Sequence, residues 1–189
     1  MNLKGIKLGV ALCGSYCTYD LVFKELEKLV EEGIEIYPIM SENAYVTDTR
    51  FGSAKSFISR LEKISGRKVI HTIVDAEPLG PKNLIDGLLI SPCTGNTLAK
   101  LSCAITDTSV TMAAKGLMRN HKPIIIALAT NDGLGLNFKN IATLSNYNNI
   151  YFVPFSQDAP VKKPNSLVAH MESIPETVKR VMGTDPHQF

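Results

Sequence analysis

Two motifs that would have named a ligand outright are missing from this 189-residue chain. There is no G-x-G-x-x-G and no glycine-rich loop ending in Lys-Ser/Thr, so neither a dinucleotide nor a nucleoside triphosphate is indicated. The 4 cysteines, at positions 13, 17, 93 and 103, contain no C-x-x-C pair, which removes the common zinc and disulfide frameworks. Reduced thiols of a cytoplasmic protein are the simplest assignment. No apolar run approaches the ~20 residues needed to cross a bilayer. The longest, Pro123 to Ala129, has the length of a buried strand. The segment Met1 to Gly14 carries Lys4 and Lys7 but leads into a helix pattern rather than a cleavage site, so no export signal is expected. Charge is also unsorted: 20 Lys and Arg against 18 Asp and Glu are mixed along the chain, and without a basic block nucleic acid is not an expected partner.

What is present is ordinary globular composition, 44% hydrophobic and 20% charged, in a chain long enough for one domain. We expect a single domain over residues 1–183 and a loose tail over 184–189. Strand-length apolar runs alternate with helix-period segments, the pattern of a parallel sheet covered on both faces. The strands read as Lys7 to Leu12, Glu35 to Met40, Lys68 to Val74, Gly87 to Ser91, Pro123 to Ala129 and Asn149 to Phe155. Between them, Val22, Leu26, Leu29 and Val30 form one apolar stripe stopped by Gly33, and Phe57, Ile58, Leu61 and Ile64 form another stopped by Gly66. Helices are also expected over Asn96 to Ile105 and Val110 to Arg119, and a terminal one is expected from Ser173 as cap, with Pro175 just inside, to Met182. The fold class is therefore three-layer α/β/α, flavodoxin-like or Rossmann-like, with about six strands.

In such sheets ligands bind beyond the carboxyl ends of the strands. Three loops there carry the chemistry. Cys13-Gly14-Ser15-Tyr16-Cys17-Thr18 combines a glycine that allows close backbone approach with two hydroxyls, which suits an anion or, equally, a capped strand-to-helix turn. Ser91-Pro92-Cys93-Thr94-Gly95-Asn96-Thr97 has small residues that leave room for a flat ring, and Asn96 offers both a donor and an acceptor, although the asparagine also reads as a helix cap. Ala129-Thr130-Asn131-Asp132-Gly133 repeats the pattern after the most apolar strand and also reads as an Asx-type turn. Arg50 and Lys82 fall near strand ends, where their charges suit a dicarboxylate or plain solvation. His71, inside an apolar run, reads as a packed residue rather than a general base. His121, His170 and His187 read as surface residues, and no cysteine nucleophile is proposed.

Gly14-Ser15, Ser41, Pro92-x-x-x-Asn96-Thr97-x-Ala99-Lys100 and Asp107 resemble the pattern of the homo-oligomeric flavin-containing cysteine decarboxylase superfamily. The resemblance implies an FMN site involving Gly14, Ser15, Ser41, Pro92, Thr94, Gly95, Asn96, Thr97, Asp107, Thr130 and Asn131. Thr94-Gly95 replaces a serine-alanine pair of that superfamily. Longer blocks resemble one branch, the B subunits of dipicolinate synthases: Cys17-Thr18-Tyr19, Thr49 to Gly52, Asp75 to Lys82, Thr130 to Asn137 and Ile150 to Ser166. That branch implies a cytoplasmic oxidoreductase subunit in the mother cell of a spore former. It would convert dihydrodipicolinate to pyridine-2,6-dicarboxylate together with an A subunit that carries NADP, with Arg50 and Lys82 as candidate substrate contacts. The alternatives are an FMN-dependent decarboxylase and a non-catalytic flavin-binding accessory subunit. No catalytic residue is assigned.

Overall fold

Seven strands form in the computed structural model, which describes residues 3–183: β1 (Lys7–Leu12), β2 (Glu35–Met40), β3 (Gly87–Cys93), β4 (Ile124–Thr130), β5 (Ile150–Phe152), β6 (Phe155–Ser156) and β7 (Leu167–Ala169). Their order is β2-β1-β3-β4-β7-β6, with β5 also on β4. The pairings among β2, β1, β3, β4 and β5 are all parallel. The outer edge of β4 is shared. Its first half, Ile124 to Ile126, pairs with β5, and its last two residues, Ala129 and Thr130, pair antiparallel with β7. Because β7 starts opposite Thr130, the β6–β7 connection projects past the carboxyl end of the sheet.

Among the described residues, eight helices cover this sheet: α1 (Tyr19–Glu31), α2 (Glu42–Val46), α3 (Ala54–Ser65), α4 (Ile73–Ala76), α5 (Gly95–Ser102), α6 (Ser109–Arg119), α7 (Phe138–Ser145) and α8 (Ile174–Met182). Side chains alternate across the pleat, so successive strand residues feed two separate cores. Val10, Leu12, Leu89, Ile125 and Ala127 face α1, α3 and α8, through Phe23, Leu26, Leu61 and Val178. Ala11, Leu88, Ile90, Ile126 and Leu128 face α5, α6 and α7, through Leu98, Val110, Leu117 and Leu144. Burial on both faces is why the central strands read as continuous apolar runs. This is the expected three-layer α/β/α, flavodoxin-like arrangement.

Local chemistry sets the helix ends. Ser53, Thr94 and Thr108 each accept a backbone N–H of the first turn, and Gly66 takes the left-handed conformation, φ +67°, that closes α3. Three expectations need correction. The run Lys68 to Val74 is not a strand: only Ile70 bridges β2, after which Thr72 accepts the Asp75 N–H and starts α4. A serine or threonine cap offers the backbone a local partner that competes with the ladder. The run Asn149 to Phe155 breaks into β5 and β6 at Pro154, which has no N–H to continue pairing. Ser173 makes no side-chain cap, because a 3-10 turn over Met171–Ser173 leads directly into α8. The expected tail, residues 184–189, and His187 lie outside the described residues.

Candidate functional site

The loops after β1, β3 and β4 converge, as the topology requires, and specific bonds hold them together. Ser15 Oγ donates to the Ala129 carbonyl at 2.8 Å, tying the first loop to the end of β4. The Cys13 N–H donates to the Pro92 carbonyl at 3.2 Å, and the Thr97 hydroxyl donates to Cys13 Sγ at 3.2 Å, tying the first loop to the second. Tyr19, buried at the start of α1, donates its phenol to the Cys13 carbonyl at 2.7 Å. Burial raises the Tyr19 pKa, so the phenol stays a donor.

Two adjoining clefts open where these loops meet. One, of about 430 Å³, is lined by Cys13, Gly14, Ser41, Glu42, Asn43, Thr94, Asn96, Thr97, Lys100, Asp107 and Thr108. The other, of about 420 Å³, is lined by Gly14, Ser15, Tyr16, Cys17, Thr18, Phe51, Thr94, Gly95, Ala129, Thr130, Asn131, Asp158, Lys163 and Val168. Gly14 and Thr94 belong to both, so the two form one continuous surface. Each is within the size range of small-molecule sites, ~300–1,000 Å³.

Of the residues expected at the site, Gly14, Ser15, Ser41, Thr94, Gly95, Asn96, Thr97, Asp107, Thr130 and Asn131 all line one cleft or the other. Pro92 is buried beneath and contributes only its carbonyl. Arg50 stands outside, its guanidinium 4.9 Å from the ring of Phe51, which does line the second cleft. Lys82 is placed elsewhere: it follows the Pro78 turn in the segment that returns the chain to the start of β3, at the amino end of the sheet. His71 stacks on Tyr45 with centroids 3.6 Å apart and lines neither cleft.

Several further charged groups line the clefts. Glu42 accepts the Ser109 N–H at 3.0 Å, which places a carboxylate across the start of α6. Lys100, the last residue of the asparagine motif, makes two 2.9 Å bonds to Asp107. Asp158 and Lys163 arrive from the β6–β7 connection, which lies within the Ile150 to Ser166 block and is rich in charge and proline. The Ser166 hydroxyl beside Asp158 holds its carboxyl below the usual range, against the small opposing effect of burial, with Lys163 adding to the lowering.

The floor is chemically quiet. Burial pushes the Cys13 thiol up to about 11, only partly opposed by the Thr97 hydroxyl, and burial also raises Cys93 well above its ordinary value. Both thiols are therefore protonated near neutrality, and neither is poised as a nucleophile. Among the described residues no group of three or more His, Cys, Asp or Glu is placed to hold a metal. No described helix is long and apolar enough to cross a membrane.

The surface suits a flat, polar-edged ring. A Cβ built on Gly14 would meet nothing within 4 Å except the Tyr16 ring at 3.7 Å, so this glycine faces open space that a ligand can fill. The exposed Asn96 amide makes no hydrogen bond to another described residue, leaving its donor and acceptor available to a ring edge.

Residues 1–184 match the Flavoprotein family. The chain belongs to that family. The B subunit of dipicolinate synthase from Bacillus subtilis (strain 168) is 46% identical over 181 residues, covering 96% of this chain and 90% of the relative. The crystal structure of the corresponding B subunit from Bacillus halodurans C superposes with a TM-score of 0.88 at 43% identity, covering 100% of this chain and 96% of that one. A more distant structure, the FMN-dependent cysteine decarboxylase SpaF, gives a TM-score of 0.73 at 19% identity over 96% of this chain and 99% of that one, a likeness of fold alone.

Proposed function

We propose that this chain acts as the B subunit of a dipicolinate synthase, oxidising dihydrodipicolinate to pyridine-2,6-dicarboxylate together with an A subunit. One observation carries the reading: the 46% identity to a protein of that name extends over 96% of the chain. The reaction removes one hydride and one proton from the dihydropyridine ring and leaves an aromatic ring. We place the NADP that accepts the electrons on the A subunit, since the chain itself lacks a dinucleotide motif. A single domain, a homo-oligomer and the cytoplasm of a spore-forming mother cell complete the proposal.

FMN is the cofactor that suits the cleft, with Gly14 and Ser15 beside its phosphate or ring and Asn96, Thr97 and Asn131 at polar edges. A bound flavin supplies a two-electron acceptor. The protein's part is to orient the two rings and to exclude water above the protonated floor of Cys13 and Cys93. The decarboxylase reading is less well supported: the decarboxylases that the motif resembles have a histidine shortly before the flavin segment and a Pro-Ala-Met-Asn clamp, whereas here His71 is away from the clefts and the clamp position reads Leu128-Ala129-Thr130-Asn131, without methionine.

The decisive experiment follows pyridine-2,6-dicarboxylate by chromatography with this chain alone, the A subunit alone, and both, each with NADP. Turnover is expected only from the pair. Full turnover by either component alone overturns the joint role. The purified chain is expected to absorb near ~450 nm, as oxidised flavin does. Anaerobic substrate is expected to bleach that band if hydride passes through flavin, and turnover without bleaching would assign it directly to the nicotinamide.

A smaller effect is expected from Asn96→Ala. Leaving a ring edge unpaired costs about 1–3 kcal/mol, so the FMN Kd should rise by roughly 5- to 150-fold. A titration of apoprotein with an unchanged Kd would remove Asn96 from the site.

A further inference from the structure

We infer that Lys163 is the cation of a carboxylate subsite in the second cleft and holds one carboxylate of the planar dicarboxylate substrate; this rests on the function proposed above. The described residues that line the two clefts include two cations, Lys100 and Lys163. Lys100 is committed, with both Asp107 oxygens at 2.9 Å from its ammonium and only 22% of its side chain exposed. Lys163 has a single 3.3 Å contact with one Asp158 oxygen and is half-exposed, which leaves two of its three N–H donors for the cleft mouth and solvent. Asp158 is not left bare when the ammonium turns away from it, because its side chain is 31% exposed to solvent. Lys163 can therefore exchange one carboxylate for another without leaving a bare charge behind.

The position of this lysine is built into the fold. The connection that carries it is bound to itself by Gln157 Nε2 donating to the Pro164 carbonyl at 2.7 Å and by the Lys163 N–H donating to the Ala159 carbonyl at 2.7 Å. It is bound to the loop after β4 by the Leu134 N–H donating to the Asn165 carbonyl at 2.9 Å. Lys163 thus stands over the loop that presents Thr130 and Asn131, in the same cleft as Ser15. A lysine is a point charge on a flexible stem, suited to one oxygen of a carboxylate and tolerant of small changes in ring position.

Two anions could meet this cation, the substrate carboxylate or the flavin phosphate, and the test separates them. Using the complex with the A subunit, KM and kcat for dihydrodipicolinate and, separately, the FMN Kd are measured for wild type, Lys163→Met, Lys163→Arg and the neighbouring Lys162→Met. The expected result for Lys163→Met is a KM raised about tenfold, the loss of one charge-assisted bond, with kcat and FMN Kd within about twofold. Lys163→Arg should restore part of the KM, and Lys162→Met should match wild type. An unchanged KM in Lys163→Met, an equal rise in Lys162→Met, or a loss confined to FMN affinity overturns the subsite while leaving the proposed function standing. Absence of turnover in the wild-type complex overturns both.

Discussion

Gly80→Ala is expected to destabilise the fold by about 2–3 kcal/mol, within the usual range for forcing an extra carbon into a packed contact. A Cβ on Gly80 would lie 2.4 Å from the Cα of Gly116, 2.8 Å from its carbonyl carbon and 2.9 Å from its oxygen. These are backbone atoms within α6, so no side chain can swing aside to relieve them. Gly80 has φ −78°, which alanine accepts freely, and the expected loss is therefore a packing effect rather than backbone strain. The same contact carries a bond from Asn120 Nδ2 to the Gly80 carbonyl at 2.9 Å, which separation of the two segments would weaken. Urea unfolding checks this: a midpoint shift equivalent to less than about 0.5 kcal/mol would mean that the turn moves away from α6 at little cost.

Gly14→Val should do the reverse, leaving stability nearly unchanged while abolishing most ligand affinity. Gly14 does not have a positive φ, and a Cβ there meets only the Tyr16 ring at an ordinary 3.7 Å. The branched side chain would therefore be accepted by the fold and would occupy the space shared by the two clefts. Steric overlap of about 1–3 kcal/mol or more corresponds to a weakening of roughly 5- to 150-fold or more in FMN affinity. A folded variant that binds FMN with wild-type affinity would place the ligand elsewhere. Binding that falls for FMN but not for riboflavin would assign the Gly14 loop to the phosphate.

Much of the site was legible because topology and local composition agree. Gly14, Thr94, Asn96 and Thr130 are small or polar residues at or just beyond the ends of apolar strands, and parallel strands deliver all such loops to one end. Arg50 and Lys82 were harder, since both are charged residues in loops and their sequence context carries no sign of which end of the sheet they reach. Lys82 lies beyond a helical turn that replaced an expected strand, so the chain is already returning to the amino end when it arrives. Lys163 and Asp158 were not legible as individual residues for a related reason: strand pairing far along the chain from the first loops decides that their connection overhangs the cleft.

By itself the sequence determined the α/β layering, the stops at Gly33 and Gly66 and the polar loops beyond the strands. These follow from periodicity and from backbone preferences confined to a few neighbouring residues. Tertiary structure decided the rest: that Ile70 makes one bridge before Thr72 turns the chain into a helix, that β4 divides its edge between β5 and β7, and that the resulting hairpin brings Lys163 into the cleft with Ser15. The physical reason is range. A cap or an apolar stripe is set by residues within a few positions, whereas the partner of a strand edge is set by competition among all segments able to satisfy its N–H and C=O groups.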